Sequence, residues 1–437
     1  MKISLTGLAG MKIRAGDGLQ EPGHPEMLST PLYYWAQPGD RLVLLDSGYK
    51  FNVATYVPEV KESWIYTYDY APNESWTAYR HDLSGDSYRQ DDYIFTEGVY
   101  FRVCLRKMNG EPFDGSEDIN RILAFEQHTA PIREIKSWIT NEVEQVAKRV
   151  QALREEGELI CALLTDTHFT VNGTWEETAA SIQQLHQALG FDGIVHLGDF
   201  TDGMVTREVT RYYSEKVLAD LKQCEVPVWV TLGNHDTNYF RNNLDRFSLE
   251  EQCELYLGRE EPRYSIDFET QKLRFIFLDS FDPDETLRYG YNASCIQWLK
   301  EQLEHTADDW QIVIFSHLSP VSRLQYWAKA LRGEKELMSV LNPYAGKILA
   351  FVNGHNHADL LDNAESFPIL SIVNSKCEAF TEYKTEGFIT PDRKLGTPSQ
   401  EAFDIMLINT EKRQIRFVRF GAGKDRIVTS GKAEWLE

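Results

Sequence analysis

Two kinds of hydrophobic pattern divide the chain. Up to about residue 130 the apolar positions form short runs rich in aromatic and β-branched residues: Leu42–Leu45, Phe51–Tyr56, Trp64–Tyr70 and Gly98–Arg106. Turn signals such as Pro38-Gly39, Ser84-Gly85 and Asp114-Gly115 separate them. Short, regular strands with polar turns and no helical period predict an antiparallel β-sandwich. Its aromatic side chains are expected chiefly in the core and in cross-strand pairs, with a glycan or polymer stacking on the exposed ones as a second reading. The period then changes. Ile139, Val143, Val146, Val150 and Leu153 step by three and four, which predicts a helix from Ile135 to Leu153 that Gly157 closes and that joins two domains.

From residue 158 onward, near-continuous apolar runs alternate with amphipathic stretches. The runs are Leu159–Leu164, Gly193–Leu197, Pro227–Leu232, Leu273–Leu278, Gln311–Phe315 and Ile348–Val352. Such runs describe strands buried on both faces of an α/β domain. Thr174-Trp-Glu-Glu177, ahead of the helix Ala179–Leu189, has the form of a capping box, with Gly190 at the far end. The expected organisation is a β-rich accessory domain over 1–130, a linking helix over 131–157 and an α/β domain over 158–437.

Charge narrows the partners. The chain has 437 residues, with 67 acidic and 45 basic side chains for a formal net charge of −22. That field repels polyanions and argues against a nucleic-acid backbone or an anionic membrane as the main partner. An anionic substrate would need a local positive centre, and bound metal is one. No stretch approaches the roughly 18 apolar residues of a membrane span, and the apolar part of Met1–Gly10 is too short for a signal-peptide core, so the expectation is cytoplasmic. The six cysteines have no CxxC spacing and are read as buried free thiols.

The chemistry lies at the strand ends, because open α/β sheets carry their working loops beyond the carboxyl ends of the strands. Leu159–Leu164 is followed by Asp166 and His168, Gly193–Leu197 by Gly198-Asp199, and Pro227–Leu232 by Gly233-Asn234-His235-Asp236. Gln311–Phe315 is followed by Ser316-His317, and Ile348–Val352 by Gly354-His355-Asn356-His357. Any one of these blocks alone is a common polar turn. Together they bring a set of Asp and His side chains that is costly to bury unless paired or bound to a cation, which points to a metal site. Oxygen and imidazole ligands without thiolate suit Mn, Fe or Zn. His186, in a helix, and His196, in a strand, read as packing or solvated residues rather than ligands, and Gly421–Arg426 as a turn.

In this order the blocks resemble the calcineurin-like metallophosphoesterases, whose pattern is D-x-H, G-D, G-N-H-D/E, a later H, and G-H-x-H. The resemblance spans about residues 157 to 380. It implies a two-sheet α/β sandwich flanked by helices, with the carboxy-terminal stretch completing the second sheet, and a centre of two divalent or trivalent metal ions. By motif position one ion would take Asp166, His168 and His357, the other Asn234, His317 and His355, with Asp199 bridging. His235 would face the phosphate and leaving group, and Asp236 would orient it or serve as a helix N-cap. Arg241 and Asn172 are candidate substrate contacts, with Tyr239 and Lys376 beside them. The implied activity is metal-dependent phosphoester hydrolysis, a diester ahead of a monoester. The alternative is a glycan- or cell-surface-binding protein that keeps the α/β domain as a scaffold, and the intact ligand set favours the enzyme.

Overall fold

The computed structural model describes residues 2–14, 20–36, 38–57, 78–81, 88–96, 99–127, 136–169, 174–203, 207–239, 245–377, 387–429 and 431–436. They form two compact units, one holding the described residues up to 127 and the other those from 136 onward.

In the first unit the long strands Tyr49–Val57 and Val99–Lys107 pair antiparallel, from Tyr100 opposite Tyr56 to Lys107 opposite Tyr49. They lie in a sheet with Leu8–Ala9, Leu28–Ser29, Tyr34–Ala36 and Ala78–His81, and a second sheet runs Lys2–Ile3, Leu123–Glu126, Arg41–Leu44, Tyr93–Ile94. Alternate side chains of both sheets meet in one core that includes Leu42, Phe51, Val53, Phe101, Val103 and Phe125. Phe101 packs edge-on against Phe125 with ring centroids 4.8 Å apart, so these predicted aromatics are core, as cross-strand packing of a sandwich requires. The expected strand Trp64–Tyr70 lies outside the described residues.

The second unit is an α/β sandwich of two sheets. One has the order Val228–Val230, Gly193–His196, Leu159–Leu164, Ala402–Asn409, Gln414–Gly421, Arg426–Thr429, Lys432–Trp435. The other runs Tyr264–Phe268, Leu273–Leu278, Gln311–Ser316, Ile348–Asn353, Ile369–Ser371, Leu360–Asp362. All six predicted strands are present, within two residues of the expected ends. The carboxy-terminal strands join the sheet of Leu159–Leu164, where Ala402–Asn409 pairs antiparallel, rather than the second sheet; their alternating apolar residues extend the inter-sheet core from that side.

Strand periodicity explains the layering. Phe275, Phe277, Val313 and Phe315 point between the sheets, where they meet Leu163, Val195 and Met406. Their neighbours Ile276, Leu278, Ile312 and Ile314 point outward and are covered by Leu299 and Leu303 of the helix Ala293–His305 and by Leu337 and Leu341 of Glu334–Leu341. The predicted linking helix spans Ser137–Leu153, buries Ile139, Val143, Val146 and Val150, and packs within this unit, where Arg149 donates to the Arg419 carbonyl at 2.6 Å. The helix Trp175–Leu189 ends at Gly190 in the left-handed region, as predicted. The capping box ahead of it does not form, because Thr174 has ψ 13 rather than extended backbone and makes no side-chain cap bond.

One buried feature has no counterpart in the sequence patterns. Asp359, Asp404, Arg419 and Arg426 are all nearly inaccessible and form a closed quartet of charges. Arg419 reaches Asp359 at 2.7 Å and Asp404 at 2.9 Å; Arg426 reaches Asp359 at 2.9 Å and also pairs with Asp404. Two cations and two anions sum to zero, so the burial cost of each is offset by its neighbours. The turn predicted at Gly421–Arg426 does connect two strands, and its last residue is a member of this quartet. No helix among the described residues is long and apolar enough to cross a membrane.

Candidate metal centre

The five strand-end blocks converge because the strands that carry them run parallel to one another within each sheet, so their carboxyl ends open on the same side. Asp166, His168, Asp199, Asn234, His235, His317 and His355 are buried, and His357 is nearly so. Three groups of side chains offer atoms close enough to hold an ion: Asp166, His168 and His357; His168, Asp199 and His235; Asp199, His317 and His355.

Both carboxylates are divided between an anchored oxygen and an offered one. Asp166 Oδ2 accepts from the Thr165 hydroxyl at 2.6 Å and from the His355 amide at 2.9 Å. Its Oδ1 is buried with no hydrogen-bond partner, 3.3 Å from His357 Nε2 and 3.7 Å from His168 Nε2. Asp199 Oδ1 accepts from the His235 amide at 2.8 Å. Its Oδ2 lies 3.2 Å from His317 Nε2 and 3.7 Å from His168 Nε2, facing both halves of the cluster.

The imidazoles are set the same way. His317 Nδ1 donates to the Leu197 carbonyl at 2.8 Å, so Nε2 is the nitrogen that offers a lone pair once the ring is neutral, and it lies 3.2 Å from both Asn234 Oδ1 and His355 Nδ1. His168 Nε2 and His357 Nε2 face each other at 3.1 Å. Ring nitrogens and a partnerless carboxylate oxygen converging in a buried space fit a bound cation. Burial works against charge on these rings, yet the Asp166 and Asp202 carboxylates raise His168 to about 10, and Asp199 and Asp166 raise His317 to about 9. Burial opposes ionisation of Asp166 and Asp199 as well, but the surrounding imidazoles hold both well below the usual carboxylate range. The pocket thus draws positive charge to its acids.

The backbone is bent to achieve this. Nine non-glycine residues with positive φ are described, and five of them are Asp166, His168, Asp199, His355 and His357, at φ 40 to 67. Left-handed backbone costs a residue with a Cβ about 1–3 kcal/mol and persists where surrounding structure imposes it, characteristically at functional sites. The glycines of the blocks allow close approach. A Cβ on Gly233 would lie 2.2 Å from Asp199 Oδ1, and one on Gly354 2.0 Å from Thr165 Oγ1. Gly233 therefore serves proximity and not positive φ.

His235 Nδ1 donates to the Asp202 carbonyl at 2.6 Å, leaving Nε2 turned toward Asp199 Oδ2 at 3.9 Å. Burial lowers its pKa while Asp199 draws it upward. Asp236 does not touch this ring. Its carboxylate accepts from the amides of Gly233 at 2.7 Å, Asp199 at 2.9 Å and Phe200 at 2.9 Å, so it fixes the two loops to each other. Burial first, and the Asp199 charge second, raise it to about 7. Asp202, which no motif singles out, reaches His168 Nδ1 at 3.0 Å and Lys376 Nζ at 3.3 Å. Its only signal in the sequence is a carboxylate three positions beyond Asp199 in the same loop. Lys376 is buried on Asp202, and Arg241 and Asn172 lie outside the described residues. His196 is a packing residue as expected: it stacks on Phe200 at 3.9 Å, and burial depresses it to about 3.

Residues 161–359 match the family model described as calcineurin-like phosphoesterase. Solved structures of similar fold include a dimetal phosphatase from Danio rerio, 17% identical, covering 62% of this chain and 99% of that one with a TM-score of 0.45. GAP50, the anchor in the inner membrane complex of Plasmodium, is 13% identical and covers 64% of this chain and 89% of its own, with a TM-score of 0.41. A putative 5′-nucleotidase from Staphylococcus aureus is 12% identical and covers 63% and 54%, with a TM-score of 0.36. No curated protein matches the chain. The likeness to the calcineurin-like phosphoesterases rests on that matched segment, which lies within the α/β unit.

Proposed function

We propose that this calcineurin-like phosphoesterase unit hydrolyses phosphoesters at a centre of two metal ions, with diesters ahead of monoesters. The observation that carries the reading is the paired arrangement of offered atoms: Asp166 Oδ1 with His168 and His357 in one place, His317, His355 and Asn234 in the other, and Asp199 Oδ2 facing both. The first set would hold one ion, the second the other, and Asp199 would join them; Mn, Fe and Zn all suit these donors. When bound, two such ions supply hydroxide at neutral pH and a positive field for phosphoryl oxygens.

The protein's own groups do the rest. His235 is oriented by the Asp202 carbonyl so that Nε2 is the atom able to give a proton to a departing alkoxide. Asp236 is a positioning residue, since its three amide bonds fix the loops that carry Asp199 and His235. Help with protonation matters most for an alcohol that leaves poorly, which is why a diester is placed first. The organisation we propose for the chain keeps residues 1–130 as an accessory domain, 131–157 as the joining segment and 158–437 as the hydrolase. The test is metal analysis of the purified chain together with assays of an aryl phosphodiester and the matching monoester with Mn²⁺, Fe²⁺ and Zn²⁺. Bound metal and turnover that both fail in Asp199→Asn support the reading; metal-free protein with activity indifferent to that substitution defeats it.

A further inference from the structure

A row of aromatic rings runs beside the metal centre and takes no part in holding ions. Tyr289 lies with its ring centroid 5.4 Å from that of His355, Phe281 lies 5.2 Å from Tyr289, and Tyr239 lies 6.0 Å from Phe281. The row starts at a ligand of one ion site and ends four residues along the chain from His235, the proton donor. It therefore borders the side to which a leaving group would depart.

The row is built rather than incidental. Phe281 and Tyr289 face each other in an antiparallel bridge, with the Asp282 amide donating to the Arg288 carbonyl at 2.9 Å and the Gly290 amide to the Ser280 carbonyl at 2.8 Å. Gly290, at φ 121, packs so tightly on the next segment that a Cβ would sit 2.3 Å from the Arg332 carbonyl oxygen. One side of Tyr289 rests on the small cluster of Leu318, Ala328 and Leu331. All three rings are half-buried and so keep part of their surface open. Two guanidinium groups lie over Tyr239, Arg288 at 4.9 Å and Arg246 at 5.9 Å. Arg246 is also paired with Asp284 at 3.1 Å, whereas Arg288 makes no ion pair among the described residues. In a chain of net charge −22, this places positive charge and flat apolar surface together next to the cluster.

We propose that this row is the wall against which the leaving group lies, and that the substrate's leaving alcohol carries a planar aromatic ring, a nucleobase or an aryl group. The proposal rests on the phosphoesterase reading and adds the substrate class to it. Rings tilted against one another by 42 to 53° give selectivity for a flat partner over a polyol of the same size, because only the flat partner covers their open faces at van der Waals distance once water has left. Phe281 is the specificity-determining residue, since it touches both other rings.

The test uses the full chain loaded with Mn²⁺ and three methyl phosphodiesters, of the adenosine 5′-hydroxyl, of benzyl alcohol and of glycerol. Each can release a primary alcohol, so intrinsic reactivity is similar. Release of adenosine and of benzyl alcohol should exceed release of glycerol by about three- to tenfold in kcat/KM, expressed mainly in KM. Phe281→Leu and, separately, the half-exposed Tyr239→Leu should bring that ratio toward one, and Phe281→Trp should retain it. Equal rates in the native protein, or a ratio that survives both leucine variants, overturn the wall and leave the hydrolase reading intact. If none of the three esters is hydrolysed, the hydrolase reading fails and calorimetry decides the wall on its own. Tighter binding of adenosine 5′-monophosphate than of glycerol 3-phosphate, lost in Phe281→Leu, upholds it; equal binding overturns it.

Discussion

The second unit buries charge in two places, and the contrast between them separates scaffold from chemistry. In the Asp359, Asp404, Arg419 and Arg426 quartet, two anions meet two cations at ion-pair distance, and the group is electrically closed. At the strand ends, Asp166 and Asp199 meet imidazoles whose ring nitrogens face each other at 3.1 and 3.2 Å, and Asp166 Oδ1 has no hydrogen-bond partner. One is balanced by its own charges, and the other gathers carboxylate oxygens and ring nitrogens around a common space. Glu401 shows a third solution: its buried carboxyl is hydrogen-bonded to Thr178 and accepts from Gln400, and burial raises it to about 7, so it holds its proton into the weakly acidic range. Counter-charge, a cluster suited to a cation and a retained proton are three of the ways this unit carries acids in its interior.

Each can be broken separately. Asp199→Asn should cost the most, more than about 10³-fold in phosphoesterase turnover, with loss of bound metal by elemental analysis, because the oxygen facing both halves of the cluster loses its charge. His235→Ala should reduce turnover by about 10²–10⁴-fold while the metal content stays as in the native chain, which distinguishes proton transfer from ion binding. Arg426→Leu should leave two buried carboxylates short of a partner and lower unfolding free energy by about 3–5 kcal/mol in denaturant titrations. Were it to abolish metal binding without changing stability, the division between the two charge clusters would be false.

The smallest effect concerns Glu401 and has a definite sign. Its folded pKa lies above the ordinary carboxyl value, so between about 4.5 and 7 the unfolded chain releases a proton that the folded chain keeps. Stability then falls as pH rises through that window and levels off above it, with a limit of roughly 3 kcal/mol from this group. Glu401→Gln does not titrate, and Thr178, which already donates to the Thr174 carbonyl, can accept from the new amide. The gap in melting temperature in favour of the variant should widen from pH 4.5 to pH 7; a constant gap would show that Glu401 is ionised in the folded state.

The same contrast explains what could be read from the sequence. The cluster of Asp and His side chains was legible because each follows a hydrophobic run, and parallel strands bring the ends of such runs together without further information. The quartet was invisible because its members are scattered from position 359 to 426 and meet only through the pairing of Ala402–Asn409 with Gln414–Gly421 and of the latter with Arg426–Thr429. Asp202 and the amide-binding role of Asp236 were missed for a related reason: both act through backbone groups or neighbouring rings, and no residue spacing encodes that. The aromatic row was equally hidden, since Tyr239, Phe281 and Tyr289 approach one another through loops whose course depends on single backbone bridges. The β-rich first part was readable as a sandwich from short aromatic and β-branched runs between turn signals, while Arg241 and Asn172 fall beyond the described residues.

The left-handed backbone at Asp166, His168, Asp199, His355 and His357 bears on the history open to such a protein. Glycine accepts that conformation without strain, so replacing one of these five ligands by glycine would relax the main chain where it destroys the chemistry. Drift toward an inert scaffold is therefore cheap for this fold, and stability offers it little resistance. Five acids and imidazoles held in that conformation are a cost that the proposed chemistry would have to justify.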